Sequence, residues 1–185
     1  MNESDPELLA RTAHGDRKAF EVFVNRWDAP LGRFLQKVAA GAQADDVRNA
    51  TFLRLYSRAS QYRGGSVKAW IFKTAWRLAQ NARRNATNVR SVSLDQAGES
   101  LDRAPRPDAS AMDIEEHARV RASFVMLDSR DRALLWLCIV EAMPLEQVAR
   151  VFGEPPSTLR YQFTKALGRI RKNLTNSELS IVAEE

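Results

Sequence analysis

Apolar residues return every three or four positions along most of the chain, and no stretch alternates apolar and polar long enough for a half-buried strand. The pattern predicts an all-α protein. Asp5-Pro6-Glu7 has the form of a helix start, a capping carboxylate with proline at the first helical position, and Leu8, Leu9 and Ala13 then share a face. Gly15-Asp16 interrupts it. Ala19, Phe20, Phe23, Val24 and Trp27 begin a second helix, which Pro30 lets bend before Leu31, Phe34, Leu35 and Val38 continue it and Gly41 closes it. Asp45-Asp46 opens a third, with Val47, Phe52, Leu53 and Tyr56 on its apolar side. Gly64-Gly65-Ser66 is a turn. Ala69, Trp70, Phe72, Ala75, Trp76 and Ala79 mark a fourth helix running into Arg83-Arg84.

Residues 87–112 lose this periodicity and carry Asn, Ser, Asp, Gly and the prolines Pro105 and Pro107, the composition of a flexible linker. Helical patterning resumes near Asp113 and runs to about Leu174. The chain therefore divides into an N-terminal helical domain (1–86), the linker (87–112) and a smaller C-terminal helical domain (113–185).

Within the C-terminal domain, the run from Leu145 to Phe163 has the make-up of a helix-turn-helix. Ala149 is small where two helices cross closely, and Gly153 stands where the turn needs a permissive backbone. Val148, Phe152 and Leu159 fill the shared core. Pro155-Pro156 ends the first helix, and Ser157 or Thr158 caps the second. Arg160, Tyr161, Gln162, Thr164 and Lys165 follow as donors for base edges and phosphates, with Arg169 further along. An ordinary helical hairpin can imitate this pattern.

Charge sharpens the picture. Formal net charge is only +5, but from Val47 to Leu94 there is no Asp or Glu, while Arg48, Arg54, Arg58, Arg63, Lys68, Lys73, Arg77, Arg83, Arg84 and Arg90 all fall there. Solvated helices normally mix signs, because opposite charges one turn apart help and like charges repel. Such an excess becomes favourable beside an external polyanion, and a phosphate backbone is the natural one. Tyr56, Tyr62, Trp70, Phe72 and Trp76 are interleaved with the cations. They are either core or platforms on which unpaired bases stack.

Composition excludes other classes. Cys138 is the single cysteine and sits in an apolar run, so it is expected as a buried thiol; no intrachain disulfide is possible. His14 and His117 stand apart and are expected on the surface, with no metal or cofactor. Nothing approaches the roughly 20 apolar residues of a membrane span, and the polar N-terminus is unlike a signal peptide. A cytoplasmic protein without a membrane partner is expected.

Taken in order, these segments resemble a bacterial sigma factor of the extracytoplasmic-function (ECF) group, over nearly everything except the linker. Glu7 to Arg11, Gly15-Asp16, Ala19-Phe20-Glu21 and Pro30-Leu31 are similar to the start of its promoter-melting domain. Asp45-Asp46-Val47 with Thr51 to Tyr56 resembles its polymerase-binding helix. Trp70 to Ala75, running into Arg83-Arg84, resembles the helix that engages the minus-ten element. Leu127 to Leu174 resembles the domain that reads the minus-thirty-five element. The resemblance implies a two-domain helical fold with no catalytic activity of its own; the polymerase does the chemistry. It implies that Asp45, Asp46, Asn49, Phe52 and Leu53 meet the polymerase clamp helices. Tyr62, Arg63, Lys68, Trp70, Lys73, Trp76, Arg77, Asn81 and Arg84 would contact the melted minus-ten strand. Ser157, Thr158, Arg160, Tyr161, Gln162, Thr164, Lys165 and Arg169 would lie at the minus-thirty-five duplex. Core RNA polymerase and promoter DNA are the implied partners, with a Ser/Thr protein kinase or an anti-sigma factor in control.

Several positions depart from the family. Asn49-Ala50, with Arg48 before it, stands where a Gln-Glu or similar pair is usual before Thr-Phe. Arg77 and Asn81 replace the frequent Asn and Asp, Asp128 replaces a proline, and Gln162 replaces a recognition-helix arginine. The acid missing beside Thr51 invites a switch, because a phosphate there adds about −1.5 to −2 charge near Arg48 and Arg54. Two other readings compete: a helix-turn-helix regulator that never meets polymerase, and a degenerate sigma-like interaction protein.

Overall fold

The computed structural model describes residues 3–39, 43–89 and 111–182, and among these residues every regular element is helical. Ser4 caps α1 (Asp5–Ala13): its backbone N–H donates to Glu7 Oε2 at 2.7 Å and its hydroxyl to the same oxygen at 2.8 Å. The cap is thus one residue earlier than the sequence implied, and Asp5 is freed for tertiary work. It pairs with Arg26 and accepts from the Trp27 indole at 3.1 Å. The inner face of α1 is Leu8, Leu9 and Thr12, not Ala13, which is exposed.

Asp16 caps α2 (Arg17–Val38) by accepting from the Ala19 amide at 3.2 Å. Pro30 lies inside this helix without ending it, and Ala39 closes it; Gly41 is outside the described residues. α3 (Gln43–Ser57) starts two residues before Asp45 and buries Ala44, Val47, Thr51, Phe52 and Leu55. A short 3-10 turn (Ala59–Gln61) leads through Gly64 and Gly65, both at positive φ, to α4 (Val67–Val89). Ser66 caps α4, accepting from the Ala69 amide at 3.1 Å.

α1 packs on α2, α2 on α3 and α3 on α4. Phe23, Phe34 and Phe72 are fully buried at the centre, with the Phe34 and Phe72 rings edge-on at 5.0 Å. Each such side chain contributes about 1.5–3 kcal/mol by leaving water.

The linker expected at 87–112 overlaps the end of α4 and the start of α5 (Ala111–Val125); residues 90–110, with Pro105 and Pro107, lie outside the described residues. Asp128 explains its own departure from proline. It caps α6 (Ser129–Leu135), accepting from the amides of Arg130 at 3.0 Å and Asp131 at 2.8 Å. A single π turn (Trp136–Val140) follows, with the Glu141 amide donating to Trp136 O at 3.0 Å. Ala142 then takes φ 49°, a left-handed conformation costing about 1–2 kcal/mol.

α7 (Leu145–Phe152) ends at Gly153, whose φ of 74° lets the Gly153 and Glu154 amides both donate to Ala149 O. α8 (Pro156–Val182) begins directly after Pro155. Gly153, rather than the prolines, therefore stops α7, and Ser157 and Thr158 lie in the first turn of α8 rather than at its cap.

The C-terminal helices rest on the N-terminal ones. α7 packs on α4 and α6 on α2, while α5, α6 and α7 all contact α8. One buried cluster runs from Leu8 through Phe72 to Val148 and Leu159. Leu127, Leu135 and Ala166 form a smaller second cluster. Cys138 is half-buried, and burial pushes its thiol up. His14 is exposed, as expected, and the side chain of His117 is outside the described set.

Candidate functional site

The functional residues expected from the sequence fall on three surfaces. The first is the outer face of α3. Asp45, Asp46 and Asn49 are exposed there, and Leu53 is 71% exposed beside them, one and two helical turns on. Leu53 does not face the core, contrary to the sequence pattern, whereas Tyr56 sets its ring 5.0 Å from that of Phe20 at the edge of the core. The buried stripe follows Ala44, Val47, Thr51 and Leu55, and Leu53 points away from it. Phe52 is corrected in the opposite sense: at 7% exposure it is core and cannot touch a partner directly.

Thr51 has no exposed surface, and its hydroxyl donates to Val47 O at 2.7 Å. Arg48, Thr51 and Arg54 do not form one face, since three-residue steps rotate 60° away from each other per step. Arg48 is also neutralised within the chain, 3.4 Å from Asp28 and 3.1 Å from Asp45. The acid that the sequence lacks beside Thr51 is supplied from α2.

The second surface is α4 and the turn before it. Arg77, Asn81 and Arg84 are exposed at one-turn spacing and form a continuous polar row. Lys73 is half-buried. Arg63 is exposed, donating to Ser60 O at 2.6 Å. Tyr62 and Trp70 lean on each other at 5.6 Å, and the Tyr62 hydroxyl donates to Gly65 O at 2.7 Å. Burial, with Asp5 nearby, holds that phenol above its usual pKa.

Two residues expected here are occupied by the C-terminal half. Lys68 Nζ lies 2.9 Å from Glu141 Oε2 and donates to Glu141 O at 2.6 Å. Trp76 is 7% exposed, with its ring 5.1 Å from that of Phe152. Ser66 joins the same seam by donating to Gln147 Oε1 at 2.7 Å. Nothing in the sequence marks Glu141 or Gln147 for this seam, and Phe152, expected in the core between α7 and α8, also reaches α4.

The third surface is the first three turns of α8. Ser157, Thr158, Arg160, Tyr161, Thr164 and Lys165 are exposed, Tyr161 to 69%. Gln162 is half-buried and accepts from Arg130 at 3.1 Å. Arg169 is exposed but already partnered within the chain. It pairs with Asp131 and lies 3.6 Å from Asp128, so it ties α8 to α6 instead of standing free. Burial, with Asp128 beside it, pushes the Asp131 carboxyl up, while Arg169 pulls it down. Among the described residues no group of His, Cys, Asp and Glu could hold a metal, and no helix is long and apolar enough to cross a membrane. The surfaces offer an acidic face with an exposed leucine, hydrogen-bond donors and positive charge.

Residues 23–89, the span from α2 to α4, match the family model described as Sigma-70 region 2. The chain is 26% identical over 182 residues to the RNA polymerase sigma-H factor of Pseudomonas aeruginosa, covering 93% of this chain and 94% of that one. It is 22% identical over 172 residues to the ECF RNA polymerase sigma-E factor of Escherichia coli K12, covering 88% and 90%. Its fold is similar to that of CnrH in complex with the cytosolic domain of CnrY (TM-score 0.68, 19% identity, 94% of this chain and 99% of that one). It is also similar to that of the sigma factor RpoE of Bartonella quintana in complex with the anti-sigma factor NepR (TM-score 0.65, 18% identity, 85% and 98%). The chain thus matches the Sigma-70 region 2 model over residues 23–89 and is similar, over nearly its whole length, to RNA polymerase sigma factors, those of the ECF group among them.

Proposed function

We propose that the chain is an alternative sigma factor that binds core RNA polymerase and directs it to a particular class of promoters. The observation that carries this reading is the coincidence of the region 2 match with two exposed surfaces on the same helices. One is the acidic face of α3 with Leu53, suited to the polymerase clamp; the other is the cationic row Arg77, Asn81 and Arg84 on α4, suited to a melted strand. α7, the Gly153 turn and α8 are assigned as a helix-turn-helix that presents Thr158, Arg160, Tyr161, Gln162 and Lys165 to the minus-thirty-five duplex. On this reading residues 1–86 and 113–185 act as the two promoter-binding units, and the protein works in the cytoplasm.

Run-off transcription with core polymerase tests the proposal. Promoter-specific transcripts are expected. Duplex binding without polymerase co-purification would establish the regulator reading instead, and polymerase binding without promoter opening would establish the decoy. Replacing Arg160 and Lys165 together by alanine should weaken duplex binding about equally on all sequences. It should also reduce the slope of log affinity against log salt by about 2, one for each phosphate that is no longer neutralised. An unchanged slope would remove these residues from the interface.

Of the two modes of control, the packing favours a protein partner over a phosphate on Thr51. CnrH and the sigma factor RpoE, both of similar fold, are held in complexes with other proteins, whereas a kinase would have to reach a hydroxyl with no exposed surface. The folded chain is therefore expected to take up no phosphate at Thr51 from Ser/Thr kinases. Thr51→Ala should cost about 1–2 kcal/mol of stability, from the missing hydrogen bond and methyl, and leave polymerase affinity unchanged. Phosphate uptake at Thr51 together with tighter polymerase binding would reverse the preference.

A further inference from the structure

Arg130, on α6, gathers groups from both helices that follow it. Its Nη2 donates to Glu154 Oε1, in the turn after α7, and to Gln162 Oε1, on α8, at 3.1 Å. Its guanidinium carbon lies 5.4 Å from the centre of the Phe152 ring. Both hydrogens of Nη2 are thereby used. A guanidinium has donors only, so the oxygen of the Gln162 amide has to face it, and the amide nitrogen is turned the other way. Gln162 shares a helix face with Thr158, four residues before it, and Lys165, three after it, both exposed.

This fixes what Gln162 can say to a base. A free glutamine reads adenine with both ends, its oxygen accepting from N6 and its nitrogen donating to N7. Here the oxygen is taken. A second donor could reach it only alongside Arg130, whose own hydrogens and charge face the approach. What remains is an N–H2 group. Guanine matches it best, because N7 and O6 are both acceptors; adenine offers N7 alone, beside an amino group that meets a donor with a donor, thymine offers O4 alone, and cytosine offers only an amino group.

We infer that Arg130 holds Gln162 as a donor-only reader of the major groove, and that Gln162 selects guanine over adenine and cytosine at one position of the upstream element. Arg130 is a positioning residue here and touches no base. The inference rests on the proposed role of α8, and it gives a physical content to the glutamine that replaces the family's arginine.

The test uses the full chain assembled with core polymerase, selecting from promoter duplexes randomised across the upstream element. The native protein should favour guanine over adenine at one position by about fivefold or more, the lower end of what one matched base contact discriminates. Arg130→Met keeps an apolar stem over Phe152 but frees the amide to turn, so that preference should disappear or pass to adenine while the other positions hold. Gln162→Glu keeps an acceptor for Arg130 and presents an acceptor to the groove, so the preference should move to cytosine, whose N4 is a donor. Gln162→Ala should flatten the position. Melting temperatures verify that each variant is folded. A base preference unchanged in these variants would overturn the inference alone; failure of the native protein to select any sequence would overturn the role of α8 and the inference with it.

Discussion

Replacing Leu53 by arginine should weaken binding to core polymerase by about 30-fold while leaving the fold intact. The two halves of that expectation come from one number. Leu53 is 71% exposed, on the face of α3 that carries Asp45, Asp46 and Asn49. A side chain so open to water supports little of the core, so a surface substitution there changes stability by no more than about 0.5 kcal/mol. An exposed leucine ringed by polar groups is suited to be the central anchor of an interface, and removing such an anchor costs about 2 kcal/mol, which is the stated 30-fold. Phe52→Ala provides the contrast. At 7% exposure Phe52 is core, so its truncation should cost about 3–5 kcal/mol of stability and impair polymerase binding only by unfolding the chain. Fluorescence anisotropy against core polymerase, paired with thermal melting, separates the two. Full affinity in the Leu53→Arg protein would remove this face of α3 from the interface.

The pairing of Leu53 with Phe52 shows how far sequence can be followed. Period alone located every helix of the N-terminal half to within a few residues, because amphipathic faces repeat at 3.6 and their breaks carry Gly or an N-capping residue, as at Gly15-Asp16. Which of two adjacent apolar residues faces inward was less legible, since α3 has a weak stripe into which Thr51 intrudes. The buried threonine satisfies its hydroxyl within its own helix, and nothing in composition distinguishes that from an exposed switch. Charge reading failed for the same kind of reason. Arg48, Lys68 and Arg169 look like free cations along the chain, yet Asp28 and Asp131, on other helices, and Glu141, just after the π turn, reach them. The acid-free window is a property of sequence neighbourhood, whereas charge is balanced in space. The exposed cations Arg77, Arg84, Arg160 and Lys165 were legible, because their helices present them outward and no partner is needed to place them. The π turn at Trp136–Val140 left no trace in the apolar pattern, although it is what delivers Glu141 to Lys68.

That ion pair supports the second large effect: Glu141→Lys should part the two halves of the chain. The carboxylate of Glu141 is only 9% exposed and lies 2.9 Å from Lys68 Nζ. Replacing it sets two ammonium groups against each other in a partly desolvated seam, and breaking such a pair costs about 3–5 kcal/mol. The Trp76–Phe152 packing and the Ser66–Gln147 hydrogen bond oppose the separation, so the open form should gain population rather than replace the closed one outright. For a compact chain of 185 residues the radius of gyration is about 16 Å, and the variant should exceed the native value in small-angle scattering. Opening also uncovers Trp76, so affinity for single-stranded DNA should rise by about tenfold, even though one more lysine accounts for a small part of it. The charge-swapped protein, Lys68→Glu with Glu141→Lys, decides the matter. It should return to the native radius, because the ion pair is restored with its sign reversed. A nonspecific defect at residue 141 would leave the swapped protein expanded. If Glu141→Lys leaves both radius and affinity at native values, the ion pair does not hold the seam, and the Trp76–Phe152 packing with the Ser66–Gln147 hydrogen bond keeps it closed without it.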